Sequence, residues 1–426
     1  MNVSSILKEL ENCPCGRVHS VNIKAVEIGE GMLARTAQIL RDAGFPRNIL
    51  VVADENTLAA SDGIIEILVG GGFGVKIKLY ADMREPTVER VDEICALCAD
   101  VGGILSVGTG SLNDICRRAA LLCDREFAIF ATAPSMDGFA SGTAPIIERG
   151  FKYTLPARQP SVIIADTAIL AAAPARLKAA GFGDIIGKFT ALVDWRVAHL
   201  TVGEYYCENI ANLVREALRR ICSMADRVSA DDADTAGAIM EILVFTGLAM
   251  KLAESSRPAS GGEHMISHMI GMRKLAEGKH ADFHGKKVGV GTVTLCDLYH
   301  RATAFTPDFR ADTPDWERVY AAYGESIKEN IIRENSPPIT DRLDPADIAA
   351  KWNEIGRIVR EELPTQAELL DIMKAAGAAT TYAEIDTDED LARDCITYHP
   401  YMRDKIVLTR ILRMTDIDPA EIVSLK

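Results

Sequence analysis

Residues 102–114 read GGILSVGTGSLND. A short apolar run, Ile104 to Val107, enters a turn carrying Gly108 and Gly110 and leaves it as the start of a helix. Glycines at such a turn let backbone N–H groups approach a phosphate, and the helix N-terminus favours negative charge. The stretch departs from the dinucleotide fingerprint GxGxxG, because Asn113 stands where the last glycine belongs. On these residues alone, a tight strand-to-helix turn with no ligand remains an equal reading.

Upstream, NILVVAD (48–54) is a β-branched run, followed by a helical pattern from Thr57 to Val69. GFGVKIKLY (72–80) and a helix around Val88 to Ala99 lead into the opening stretch. Downstream come a helix from Leu112 to Cys123, then EFAIFAT (126–132), FKYTLP and SVIIAD. Strands alternating with helices predict a parallel sheet with crossover helices. From about Ala172 the pattern changes to Ala-rich, 3.6-periodic segments such as ALVDWRVAHL, ANLVREALRRI and AGAIMEILVFTGLAMKLAE. The expected architecture is an α/β nucleotide-binding domain over residues 1–172 and an all-helical domain over residues 173–426.

Composition narrows the function. The chain has 426 residues, 48% hydrophobic and 25% charged, enough for two cores. Its net charge of −14 argues against affinity for nucleic acid or an anionic membrane surface. The opening MNVSSILKELENC lacks the apolar core of a secretory signal. The weakly charged run 127–147 is interrupted by prolines, glycines and Asp137, so it is not a membrane span. Ten cysteines without a regular framework fit reduced thiols. The expectation is a cytoplasmic protein with no nucleic-acid partner and no membrane insertion.

Cys13-Pro14-Cys15-Gly16-Arg17-Val18-His19 looks like half of a zinc site for which the sequence offers no second half. Cys95 and Cys98 lie in an amphipathic helical stretch and read as core.

Candidate chemistry collects in four places. The loop TAPSMDGFASGTAP (132–145) follows a strand and surrounds one acid, Asp137, which as a plain residue would cap a turn. GFGDIIGKFTALVDW (181–195) puts Asp184 just inside a helix start, a position the helix dipole alone would explain. GGEHMISHMIGMRKLAEGKHADFHGKK (261–287) carries four of the eight histidines as two pairs, His264 with His268 and His280 with His284. Four-residue spacing puts both rings of a pair on one helix face. HxxxH lacks the glutamate of a zinc protease, and Met265, Ile266, Met269 and Ile270 would suit a plain core helix. Asp54, ending the first strand, is the candidate for an adenosine ribose hydroxyl, favouring NAD over NADP.

GTGSLND, TAPSMDGFASGTAP, GFGDIIGKFTALVDWRVAH, SSRPASGGEHMISH and HGKKVGVGT occur here in that order. Together they resemble the sn-glycerol-1-phosphate dehydrogenases, a branch of the iron-containing alcohol dehydrogenase and glycerol dehydrogenase superfamily. The resemblance runs from roughly Asn48 to His300. It implies that Gly108, Thr109, Gly110, Ser111 and Leu112 bind pyrophosphate. Thr132, Ala133, Pro134, Ser135 and Ser141 match other NAD contacts. Asp137 matches a substrate-binding residue. Asp184, His264 and His284 match ligands of one divalent metal, with Asp184 also beside substrate and His268 touching substrate. His280 is left as a bystander.

The implied reaction is reversible reduction of dihydroxyacetone phosphate to sn-glycerol 1-phosphate by NADH or NADPH, with Asp184 and His268 catalytic. Zinc is the default ion for this ligand set, and nickel and iron are close alternatives. A homo-oligomer is expected. The rivals are a dehydrogenase for an unphosphorylated polyol such as glycerol, a cyclase resembling 3-dehydroquinate synthase, and a non-catalytic nucleotide-binding protein. A phosphate would need cations, for which Lys188, Arg257 and Lys286 are the candidates.

Overall fold

The computed structural model describes residues 3–423. Six strands form one parallel sheet: β1 (Ala25–Gly29), β2 (Asn48–Asp54), β3 (Gly74–Tyr80), β4 (Gly103–Gly108), β5 (Glu126–Ala131) and β8 (Val162–Asp166). A separate pair, β6 (Thr143–Glu148) and β7 (Phe151–Pro156), makes a hairpin. Its two-residue turn, Arg149 and Gly150, has positive φ at both positions, the geometry that matches strand twist.

The order in the large sheet is β1-β8-β5-β4-β2-β3. The four inner strands are almost wholly buried, as their continuous apolar runs require when helices cover both faces. The edge strands β1 and β3 are only partly buried. After β3 the chain crosses to the other side of β2 to form β4, so the connectivity reverses between β2 and β4. Ligands of open α/β sheets bind at the carboxyl ends flanking such a reversal. Asp54 and Gly108 end those two strands.

Three expectations change here. AVEIG forms an unforeseen edge strand. The helix predicted from Thr57 to Val69 is two, Glu55–Ala60 and Ile64–Gly70, interrupted where Gly63 takes φ 85°. The irregular loop 132–145 contains a 3-10 turn, Gly138–Ala140, and runs into β6.

The chain forms two compact units. The first takes residues up to Glu148, Lys152–Gly181 and Asp226–Ser255. The second takes Arg149–Phe151, Phe182–Ala225 and everything from Ser256 onward. A single cut after residue 172 is therefore replaced by an exit inside the helix Ala175–Ile186 and a return for the helix Ala233–Ala253. That helix is apolar all round, and such a helix needs cover on every side. Gly247 makes the approach possible, since a Cβ there would sit 2.8 Å from the Asp137 carbonyl oxygen and 2.9 Å from the Ala140 nitrogen. By length and composition this helix could cross a membrane, but 83% of its most apolar window is buried, as in a core helix.

From Phe182 onward every regular element among the described residues is helical. The long ones are Lys188–Val202, Glu208–Cys222, Gly262–Ala276, His284–Ala302 and Pro345–Glu362.

Candidate metal centre and nucleotide turn

Asp184 does not open a helix. It lies in the last turn of Ala175–Ile186, because Gly181 and Gly183 continue the helix rather than break it. They are there for close packing: a Cβ on Gly183 would fall 2.5 Å from the Gly285 carbonyl oxygen. That approach brings Asp184 to the first turn of His284–Ala302, where His284 is the first residue. A carboxylate near a helix C-terminus opposes the dipole. Lys188, fully buried, compensates by donating to the Asp184 carbonyl (2.7 Å) and to Oδ1 (3.2 Å).

The imidazoles converge on the same carboxylate. His264 Nε2 lies 3.4 Å and His284 Nε2 4.0 Å from Asp184 Oδ1. One donor atom from each of the three residues falls within 4.8 Å of the others. The far side of each ring is engaged. His264 Nδ1 is 2.7 Å from Glu263 Oε1, and His284 Nδ1 is 3.3 Å from Ser267 Oγ. His264 Nδ1 donates to a carboxylate and Ser267 holds His284 by its Nδ1, so both Nε2 atoms face Asp184, the arrangement in which imidazoles bind metals.

The electrostatics agree. Burial alone would depress the His264 pKa, but Asp184 and Glu263 outweigh it and push the ring up to about 9. Burial likewise opposes the charge on Asp184, yet Lys188 and the two imidazoles hold its carboxyl far below the usual range. A buried cluster that draws a proton onto an imidazole suits a divalent cation in that proton's place. One carboxylate and two imidazoles also leave coordination positions open to a substrate oxygen.

His268, one turn after His264, has its ring centroid 6.3 Å from that of His264 and 5.6 Å from that of His284. It is beside the cluster but outside its donor set. His280 sits exposed in the connector before the next helix, so the second pair does not share a helix face.

Sequence reasoning missed the acids that brace the cluster. Glu263, fully buried, accepts from the Thr190 hydroxyl (2.6 Å) and the Gly261 N–H (2.6 Å) while holding His264. Asp194 accepts from the Gly262 N–H (2.8 Å), the Tyr299 hydroxyl (2.9 Å) and the Leu408 N–H (2.8 Å). Burial and neighbouring Glu263 raise its pKa to about 6. An acid directly before a histidine was the available signal for Glu263. Nothing in the local sequence marked Asp194.

In the first unit, Gly108 carries φ 156°, and a Cβ there would meet Leu112 at 2.4 Å. The helix Gly110–Leu122 begins at Thr109 without a side-chain cap. Buried Asn113 has no hydrogen-bond partner for either amide atom among the described residues. An uncapped helix start beside an unsatisfied buried amide fits a bound pyrophosphate. Ser111 donates to the Arg84 carbonyl (2.6 Å). Thr132, Ala133, Pro134 and Ser135 follow β5 and are buried, as is Asp137. Ser141 Oγ accepts from the Thr143 N–H (3.1 Å). Buried Arg117, another residue missed from sequence, ties this loop down through the carbonyls of Gly138, Ser141 (3.5 Å) and Thr143 (3.3 Å). Asp54 caps the helix Glu55–Ala60.

The three cations proposed for a phosphate are all engaged. Lys188 is on Asp184, and Lys286 pairs with Asp282. Arg257 is held by Glu204 (Nε to Oε1, 2.6 Å) and the Ile406 carbonyl (2.5 Å).

The family model described as iron-containing alcohol dehydrogenase matches residues 27–174. A glycerol-1-phosphate dehydrogenase [NAD(P)+] of Geobacillus stearothermophilus is 32% identical over 384 residues, 87% of this chain and 92% of that protein. This chain belongs to the glycerol-1-phosphate dehydrogenase family. A relative of the same name from Bacillus licheniformis is 29% identical over 98% of this chain and 96% of its own length. One from Methanosarcina mazei is 36% identical over 64% of this chain and 76% of its own length.

Solved structures share the fold. A probable glycerol dehydrogenase from Sinorhizobium meliloti aligns with TM-score 0.62 at 17% identity, covering 94% of this chain and 95% of that one. The NADH-dependent butanol dehydrogenase A of Thermotoga maritima aligns with TM-score 0.63 at 16% identity, covering 96% and 97%. Glycerol-1-phosphate dehydrogenases are NAD(P)-dependent oxidoreductases, and this chain is one of them.

Proposed function

We propose that this glycerol-1-phosphate dehydrogenase family member reduces dihydroxyacetone phosphate to sn-glycerol 1-phosphate, reversibly, at a divalent metal held by Asp184, His264 and His284. The observation that carries this reading is the convergence of both Nε2 atoms on one Asp184 carboxylate oxygen, 3.4 and 4.0 Å away. When bound, the metal supplies Lewis acidity at the carbon-2 oxygen and the nicotinamide supplies or accepts the hydride. Glu263 and Ser267 fix the two imidazoles so that their Nε2 lone pairs point inward. His268 orients the substrate and moves the hydroxyl proton at its ring nitrogen, while Asp137 binds a substrate hydroxyl. Gly108 to Leu112 bind pyrophosphate through backbone N–H groups, with Thr132 to Ser135 and Ser141 along the nucleotide. Zinc is the default ion for this ligand set, with nickel and iron the alternatives. Ten thiols, none in a disulfide, support a reducing cytoplasm.

The test is NADH oxidation by metal-loaded protein with dihydroxyacetone phosphate beside dihydroxyacetone. Faster turnover of the phosphorylated ketone is expected, and equal or faster turnover of the free ketone would make this a polyol dehydrogenase. His264→Ala and His284→Ala should each lose one metal equivalent, whereas His280→Ala should keep it.

A further inference from the structure

The CPCGRVH segment plays no part in the reaction above, yet the fold gives it the geometry of a second metal site. Donor atoms of Cys13, Cys15 and His19 lie within 4.8 Å of one another. Cys15 Sγ is 3.2 Å from His19 Nε2. In a tetrahedral zinc site, bonds of about 2.3 Å to sulfur and 2.0–2.1 Å to nitrogen put neighbouring ligand atoms roughly 3.5–3.8 Å apart. Gly16, at φ 80°, turns the chain between the second cysteine and the histidine.

A second observation is independent of that clustering. His19 Nδ1 is 2.8 Å from the Leu252 carbonyl oxygen. A carbonyl can only accept, so Nδ1 carries the proton and Nε2 presents its lone pair toward Cys15. A ring oriented by a backbone carbonyl on one nitrogen, with the other facing thiols, is the standard second layer of a metal-bound histidine. Arg17 donates to the neighbouring Ala253 carbonyl (3.2 Å). Leu252 and Ala253 end the helix Ala233–Ala253, whose last carbonyls have no partner within the helix. The segment thus caps the core helix of the first unit, and a cation on it would also favour the negative end of the helix dipole.

We propose that Cys13, Cys15 and His19 supply three of the four ligands of a structural zinc ion, distinct from the ion at Asp184, His264 and His284. Each cysteine gives up its thiol proton to solvent as its sulfur–zinc bond forms, and His19 binds neutral through Nε2. The ion fastens residues 13–19 to the end of the helix Ala233–Ala253 and takes no part in hydride transfer.

Metal analysis of the full-length protein after zinc loading and desalting tests this. Wild type should hold two equivalents per chain. Cys13→Ser/Cys15→Ser should hold one and keep at least half of the wild-type kcat, whereas His264→Ala/His284→Ala should hold one and be inactive. Cobalt loading supplies a readout that activity cannot. The sulfur-to-cobalt charge-transfer absorption should appear in wild type and in His264→Ala/His284→Ala, and vanish in Cys13→Ser/Cys15→Ser. Should the serine variant fold poorly, chelator-stripped protein still decides: added zinc must raise the Tm of His264→Ala/His284→Ala as it does that of wild type, and no rise in that variant would overturn the site. Two equivalents in the serine variant, or a cobalt spectrum without the sulfur band, would overturn the site. Neither result would touch the assignment of the catalytic ion, which rests on the other double variant.

Discussion

The two candidate binding regions hold charge in opposite ways. At the carboxyl ends of β2, β4 and β5, the chain offers glycines, small side chains and an uncapped helix start, so backbone dipoles supply the attraction. Around Asp184 the work falls to buried ionisable side chains, each fixed by another: Lys188 on Asp184, Glu263 on His264, Ser267 on His284. Backbone dipoles do not titrate and are hard to remove by mutation. Buried charges are strong only while every partner is present. The second region should therefore be far more sensitive to single substitutions and to pH.

The widest separation comes from Asp184→Asn. It replaces one carboxylate oxygen by an amide NH2, removes the negative charge on which both imidazoles converge, and leaves Lys188 buried without its carboxylate. Losing several kcal/mol of charge stabilisation at the reacting oxygen lowers kcat/KM on the order of a thousandfold. NADH binding, followed by fluorescence titration, should stay within about twofold because its residues lie in the other unit. A comparable loss of NADH affinity would show that the two regions are not independent.

Acid should act next, through a buried histidine of the second unit. His399, wholly buried, faces the Cys395 carbonyl (2.8 Å) through Nδ1 and the Thr409 hydroxyl (2.9 Å) through Nε2. Burial lowers its pKa from about 6.5 to about 4. Above pH 6.5 both folded and unfolded chains carry neutral His399, and its full contribution is present. As pH falls, the unfolded chain takes up the proton first, so stability declines between about 6.5 and 4, by about 3 kcal/mol in all. Urea denaturation at pH 7, 5.5 and 4.5 measures this, and His399→Gln should flatten the dependence. An unchanged slope in that variant would place the acid sensitivity elsewhere.

How much of each region could be read from sequence follows from the same contrast. The inner strands announce themselves because burial on both faces demands unbroken runs such as NILVVAD and EFAIFA. AVEIG does not, because a half-buried edge strand tolerates Glu27 in its middle. The helix Ala233–Ala253 was recognisable as a helix, but an all-apolar surface carries no stripe to say which unit it joins. Asp184 was legible as a candidate only through the ordered motifs, and its helix position was misread because glycines that permit contact look like glycines that end helices. Glu263 and Asp194 escaped because bracing acids obey geometry rather than any fixed spacing.

Glu263→Gln tests whether that bracing matters. Glutamine keeps one accepting oxygen for the Gly261 N–H and faces Thr190 with an amide N–H, and it no longer offers a charged acceptor to His264 Nδ1. Outer partners of this kind contribute about 10–100-fold in metal affinity. The variant should be weak at limiting metal and recover most of its activity in excess metal, which a merely misfolded protein would not do. Activity independent of metal concentration would remove Glu263 from the site.

The smallest effect concerns Asp54, which belongs to the first region but behaves like the second. Its Oδ1 accepts from the Thr57 N–H (2.8 Å), Thr57 Oγ1 accepts from the Asp54 N–H (3.0 Å), and Oδ2 lies 3.4 Å from the Met83 N–H. This capping box accounts for the carboxylate without any ligand, and Asp54→Ala should lower stability by about 1 kcal/mol. Serine caps nearly as well as aspartate but cannot offer two carboxylate oxygens to a ribose. Asp54→Ser should then keep the wild-type Tm while raising KM for NADH up to about tenfold, with KM for NADPH little changed. If serine restores both stability and KM, Asp54 is a helix cap alone, and the first region binds its nucleotide without a buried charge.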